Sequence, residues 1–340
     1  METKASPIKT QKFTVDDRMF DKFREIRKKV WFEATRNKPE NKELLQKSVI
    51  EVADRANLDH WRASAPEVRS ELWSQIVEKI FYSGFDASIV NAKLAHIQTQ
   101  FGDYKSLCCS DWDIRLKGHR LSDTSGRFAR AYFGNDRLED KIRHAAKIRK
   151  IVVVARVFTK YFDEHSEALA LSFVTRQNES EDVWQLSGNL DDVGLSGQLI
   201  QLHLMMDLGF DCIKPDIVIS RLVLSLGWLA KFAERLPADL TEDDLRGKGK
   251  YGSKFHYTKI VVIKPIVDLA RAFASKMRQE RETLQADIGW VTSNPIREFD
   301  IFMVAFGQRP DPSWGIEVQL SAGNSHSKTQ QCPAWKGGLT

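Results

Sequence analysis

Asp216 directly follows Pro215 and directly precedes an apolar run, in a stretch (209–228) that reads GFDCIKPDIVISRLVLSLGW. A carboxylate in that place is either a helix cap, accepting the first backbone N–H groups for about 1 kcal/mol, or a catalytic group. Ionised, it offers electrostatic stabilisation of a developing positive charge or general-base work on a water. Upstream, residues 190–209 read LDDVGLSGQLIQLHLMMDLG, a glycine-bearing turn running into an apolar segment. Such a turn exposes consecutive backbone N–H groups at a helix N-terminus, where unpaired donors and the helix dipole favour a phosphate. Val193, Gly194, Ser196 and Gly197 are the candidate clamp, the two glycines permitting close approach.

The elements that must hold these groups read as helices. From Met19, Phe20, Phe23, Ile26 and Val30 recur at three- and four-residue spacing, and the segments 44–57 and 67–82 behave alike. The turn at 193–197 opens a helix over 198–207, and a second apolar helix begins after Asp216. Strand-like alternation is scarce. The run IVVV at 151–154 continues a helical stretch that begins near Glu139, and we read it as helix. Between 137 and 160 a strongly basic helix carries Lys147 and Arg149 among others, which makes it either a solvated face or a phosphate-facing wall.

Bulk composition narrows the classes. The chain has 340 residues, 42% of them hydrophobic, enough for one large or two modest folded domains. A formal charge of +5 permits a polyanionic partner without demanding one. Cys108, Cys109, Cys212 and Cys332 fit neither a disulfide framework nor the ligand spacing of zinc or iron–sulfur sites, so no metal and no cofactor is expected. The N-terminal stretch lacks the apolar core of a signal peptide, and no apolar run reaches the roughly 18 residues of a spanning helix. A reduced, cytoplasmic setting without membrane contact is the expectation.

The ordered set of hairpin, apolar helix, glycine, short loop and then Pro215-Asp216 with Arg221 beyond resembles the helix-hairpin-helix DNA glycosylase superfamily. Gly194 lies 22 residues before Asp216, close to the separation that superfamily uses. The likeness extends outward. Residues 72–93 (LWSQIVEKIFYSGFDASIVNAK) resemble the first core helices of the methyladenine glycosylase branch, 143–156 (RHAAKIRKIVVVAR) its basic helix, and 296–307 (IREFDIFMVAFG) its closing helix. It spans roughly 70 to 308, in the right order.

What the resemblance implies is an all-α fold of two interlocked helical subdomains with a helix-hairpin-helix motif and the active site in the cleft between them. The expected organisation is a disordered tail over 1–15, a helical extension over 16–69, the glycosylase core over 70–308 and a loosely ordered tail over 309–340. Within that core the hairpin falls at about 190–208 and the catalytic loop at about 209–217. DNA is the implied partner, which adds association with the nucleoid to the cytoplasmic setting. Such an enzyme rotates a base out of the duplex and hydrolyses its bond to deoxyribose, with Asp216 stabilising the positive charge on the sugar, as carboxylates do in glycosidases. Phe81, Tyr82 and Phe85 would receive the base, and Lys147, Arg149, Lys214 and Arg221 would meet the DNA backbone.

Departures from the family pattern refine the expectation. Ser196 occupies the place of the lysine that bifunctional members use, which implies a monofunctional enzyme leaving an intact abasic site. Val218 replaces a histidine often found two residues after the aspartate. The pocket glutamate of the methyladenine branch would fall near Lys79, so adenine-type recognition does not carry over. A bulky modified base stays open beside an alkylated one, and antiviral defence beside repair. Trp112 and His119 sit in a loop-like region able to supply a wedge, and His203 reads as a buried, satisfied histidine. Two other classes stay open: a non-catalytic helix-hairpin-helix DNA-binding module and an α-helical protein-interaction scaffold.

Overall fold

The computed structural model of the protein describes residues 14–36, 42–55, 68–82, 197–232 and 236–308, with single positions 94, 98, 147, 151, 183, 184, 187, 188, 190, 191 and 195. Every regular element among the described residues is helical: α1 (Asp17–Arg36), α2 (Lys42–Arg55), α3 (Val68–Tyr82), α4 (Gln198–Leu208), α5 (Ile217–Ser225), α6 (Leu229–Phe232), α7 (Glu242–Leu245), α8 (Gly252–Phe255), α9 (Ile260–Gln279), α10 (Arg281–Ile288) and α11 (Pro295–Gly307). The fold is therefore all-α, as the three- and four-residue periodicity requires. Lys147 and Ile151, one helical turn apart in the stretch with the β-branched run, are both helical. The chain forms two compact units, Met1–Gln46 with Pro215–Gln319 and Lys47–Lys214 with Leu320–Thr340.

In the first unit α1 is tied to the C-terminal helices. Asp16 caps it, Oδ1 accepting the Met19 N–H at 2.8 Å, and its buried stripe of Met19, Phe20, Phe23, Ile26, Val30 and Trp31 follows helical spacing. Phe23 meets Phe273 of α9 and Phe299 of α11 with ring centroids 5.5 and 5.2 Å apart, and Phe273 stacks on Phe299 at 4.9 Å. Trp228, just before α6, closes the cluster against Phe273 at 4.9 Å. Each such ring removed from water contributes about 1.5–3 kcal/mol, so a helix that the sequence sets in an N-terminal extension belongs to the core of this unit.

That core also holds a charge. Arg27 of α1 and Glu298 of α11 are both buried, paired at 2.7 Å. The remaining guanidinium donors reach the carbonyls of Leu284 and Trp290, each at 2.6 Å, while Glu298 Oε2 accepts from the backbone and hydroxyl of Thr292. Burial pushes the Arg27 guanidinium below its ordinary value, and Glu298 works against that. Removing one partner of such a pair costs about 3–5 kcal/mol, because the other is left buried and uncompensated.

The second unit is described over α3, α4 and most of α2. The apolar helix α4 packs on α3 and ends as its sequence indicates, with Gly209 left-handed at φ 99° and its N–H bonded to a carbonyl of the last turn. Lys79 of α3 is buried and forms an ion pair with Asp207 of α4. His203, expected as a buried histidine, is half-buried instead, its Nε2 3.7 Å from Asp207 Oδ2. Among the described residues no helix is long and apolar enough to cross a membrane.

Candidate active site

Asp216 is the N-cap of α5. Its backbone is extended, at φ −71° and ψ −178°, the usual conformation of a capping residue whose side chain turns back over the helix start. Oδ1 accepts the N–H groups of Val218 at 2.9 Å and Ile219 at 3.1 Å. Oδ2 accepts no hydrogen bond among the described residues. The carboxylate is thus fixed through one oxygen while the other stays available, and the side chain is half-buried. Cap and reagent are compatible roles for this residue.

Two residues of α5 hold it in place. Val218 packs against Gly307 at the end of α11, where any Cβ would come within 2.8 Å of its Cγ1. The Ser220 hydroxyl donates to the Pro215 carbonyl at 3.3 Å, tying the helix back to the loop that delivers Asp216. Tyr257 lies near enough for the Asp216 charge to act on it. Burial pushes its phenol above the ordinary value and the Asp216 charge adds to that, so at neutral pH the ring keeps its O–H as a donor.

Arg221, expected to meet a phosphate, faces inward. Its Nη2 donates to the Gly307 carbonyl at 2.8 Å, and its Nη1 lies 3.6 Å from Glu242 Oε1 with the side chain 12% exposed. It caps the end of α11 and braces α5 against α7. Lys214, also expected on the DNA backbone, is half-buried in the loop before Pro215 and carries no ion pair among the described residues.

Of the expected phosphate clamp, Gly197 is described. It is exposed at φ +106°, left-handed backbone that favours glycine, and its carbonyl accepts from Ile200 and Gln201 at 2.9 and 3.1 Å, starting α4. Leu195 is buried beside it. Its N–H donates to Leu190 at 2.8 Å, and its carbonyl accepts from the Gln201 amide at 2.7 Å while Gln201 Oε1 accepts the Ser187 hydroxyl at 2.5 Å. The turn is therefore pinned from within by a buried side-chain network. Val193, Gly194 and Ser196 lie outside the described residues, as do Phe85, Arg149, Trp112 and His119. Phe81, in the last turn of α3, is a buried core residue, Tyr82 is the last residue of α3, and Lys147 is half-buried in a helical position. The structure puts Gly197 and Asp216 in different compact units.

One cationic feature of the Asp216 unit escapes motif reading altogether. From Arg246 to Lys259 the chain reads RGKGKYGSKFHYTK, with five Lys or Arg and no Asp or Glu. Its organiser is Asp244, a buried carboxylate on α7. Oδ2 accepts the N–H and hydroxyl of Thr241 at 2.9 and 2.7 Å, and Oδ1 accepts the Tyr251 N–H at 2.5 Å. Burial opposes the Asp244 charge, but these bonds outweigh it and hold the carboxyl below its ordinary value. The one hint in the residues is the alternation of Gly and Lys beside aromatics, since glycines admit the close approach that such a fold-back needs.

Comparisons with protein-family models, with curated proteins and with solved structures find no match.

Proposed function

We propose that the protein is a monofunctional DNA glycosylase, with Asp216 as the carboxylate that stabilises the sugar cation during cleavage of the N-glycosidic bond. The observation that carries this reading is the asymmetry of Asp216, with Oδ1 anchored on Val218 and Ile219 and Oδ2 without a hydrogen bond among the described residues. A carboxylate held through one oxygen is oriented without reorganisation, which is what electrostatic stabilisation of a developing charge requires. The order of hairpin, loop and aspartate in the sequence supports the choice of reaction.

The steps follow from elementary chemistry. A base stacked in duplex DNA is out of reach, so it is extruded at a cost of a few kcal/mol, offset by phosphate contacts of the kind assigned to the 193–197 turn and to Lys147, Arg149 and Lys214. As the bond to the base lengthens, positive charge grows on the deoxyribose and the Asp216 carboxylate faces it. The same oxygen orients or deprotonates the water that completes hydrolysis. With Ser196 at the position of the bifunctional lysine, no covalent imine forms and an abasic site remains. Adenine-type recognition is not part of the reading, since Lys79, near the place of the adenine-pocket acid, is buried in an ion pair with Asp207, and a bulky modified base stands beside an alkylated one.

The test is a panel of duplexes carrying different modified bases, incubated with the protein and then treated with alkali. Strand breaks that disappear in Asp216→Asn support the enzyme. Duplex binding without breaks on any substrate would mean that Asp216 is only a cap in a DNA-binding module, and absence of DNA binding would mean a protein-interaction scaffold.

A further inference from the structure

We propose that the Arg246–Lys259 loop is a second phosphate-gripping surface, one built from side chains, that holds the sugar–phosphate backbone of duplex DNA beside α5. The inference rests on the DNA partner of the reading above but not on its chemistry.

The cations of this unit are used in different ways. Several outside the loop are paired, Arg24 and Lys28 with Asp287 at 2.8 and 2.7 Å, Arg297 with Asp300 at 2.7 Å, Lys231 with Asp16 at 2.6 Å, while Arg18, Arg36, Lys42 and Lys264 are scattered, exposed and without an ion pair among the described residues. The loop differs in density, with five Lys or Arg between 246 and 259 and no Asp or Glu among them. Lys248 and Lys259 are exposed and make no ion pair among the described residues. Lys254 has only the Phe255 ring, 5.3 Å away, and Lys250 has the Tyr251 ring at 4.5 Å and Asp239 at 3.6 Å with 71% of its side chain exposed. Arg246 alone is close-paired, at 2.7 Å to Glu242. Asp243 adds an exposed carboxylate at the loop's edge, so the surplus is on the lysines.

The loop is also tied together by its own backbone. The N–H groups of Lys248 and Gly249 both reach the Asp243 carbonyl, that of Gly252 reaches Gly249, those of Lys254 and Phe255 reach Tyr251, and that of Tyr257 reaches Leu245. With the Tyr251 N–H on Asp244, the backbone donors are largely consumed inside the loop. It is therefore no backbone nest for a phosphate. A Cβ on Gly249 would come within 2.7 Å of the Asp244 Cγ, and one on Gly252 within 2.7 Å of the Gly247 Cα, so the fold-back tolerates no side chain at either place. A platform already ordered presents its lysines without the entropic cost of folding a loop on binding.

Glu242 takes both Arg246 and Arg221, so the loop is coupled to α5, whose first turn carries Asp216. His256 and Tyr257, half-buried with ring centroids 4.5 Å apart, lie at the same end. Phe255 is buried and the exposed positions of the loop are Lys, Arg, Gly, Ser and Thr, a surface that suits a phosphodiester strand, with the exposed side chain of Ile260 following at its edge.

The experiment measures binding of an unmodified duplex to the full chain by fluorescence anisotropy across roughly 50–200 mM salt. The variant combines Lys248→Ala, Lys254→Ala and Lys259→Ala. A charge-matched control combines Lys22→Ala, Lys42→Ala and Lys47→Ala. The expected result is a roughly tenfold or greater loss of affinity in the loop variant and a salt slope shallower by about 0.9 per lysine that meets a phosphate, with the control near wild type. Unchanged slope in the loop variant, or an equal change in the control, overturns the inference. Because all three loop lysines are exposed, thermal melts of variant and wild type should coincide, and Lys248→Arg should restore part of the slope. The two ideas fail separately: excision with an unchanged slope sinks the loop and keeps the glycosylase, and a reduced slope without excision does the reverse.

Discussion

Asp216 and Asp244 sit in the same compact unit and both hold backbone N–H groups, yet their carboxylates end up in different states. Asp244 is buried, and both its oxygens are taken, by Thr241 on one side and Tyr251 on the other. Asp216 is half-buried with one oxygen anchored and the other without a hydrogen bond among the described residues. A carboxylate whose acceptors are all satisfied inside the protein does structural work, because any substrate would have to displace those bonds. One with an oxygen left over can be both cap and reagent. The same contrast separates Arg221, turned inward onto Gly307 and Glu242, from Lys248 and Lys259, which are left exposed.

The sharpest way to break the comparison is Asp216→Asn. Asparagine caps a helix about as well as aspartate, so stability should move by no more than a few tenths of a kcal/mol. Base release, read as alkali-labile strand breaks, should fall by about 1,000-fold or more; a variant that still excises would reduce Asp216 to a cap. For its counterpart the pattern inverts. Asp244→Ala should lower stability by about 2 kcal/mol in urea unfolding, and limited trypsin digestion should cut sooner at Lys248 and Lys250 as the loop loosens. Duplex binding should weaken alongside.

Smaller changes sharpen the same contrast. Gly249→Ala, which forces a methyl against Asp244, should cost about 1–2 kcal/mol and raise the same tryptic cleavages while leaving Asp216 untouched. The weakest effect is in pH. The folded Asp244 carboxyl lies below its unfolded value, so its contribution is fully present above pH about 4 and is lost as pH falls further through the folded value. The difference in melting temperature between wild type and Asp244→Ala should therefore shrink as pH drops from about 5 to about 3; a difference that is constant or grows would mean that the Asp244 charge is not what holds the loop.

Much of the helical layout was legible because it is written in local periodicity. The stripe of Phe20, Phe23, Ile26 and Val30 gave α1, and the closing run from Ile296 gave α11. Pro215 before Asp216 before an apolar run gave the cap on α5. The fold-back at 246–257 follows no period: Thr241 and Asp244 form the local capping box of α7, but the bond from the Tyr251 N–H to Asp244 spans an irregular loop. Nor did Arg221 announce its partners, because Gly307 is 86 residues away in the chain.

By itself the amino-acid sequence determined that this protein is helical, where its apolar helices begin and end, and that Asp216 caps one of them, because those properties depend on neighbours within a turn or two. Only the tertiary structure decided which charges are consumed and which are left over. Arg27 disappears into a pair with Glu298, Arg221 turns onto a distant carbonyl, and the lysines of the 246–259 loop remain unpaired or nearly so. The physical reason is that a charge is satisfied or left available by whatever the fold brings within about 4 Å of it, and those partners come from helices far apart in the chain.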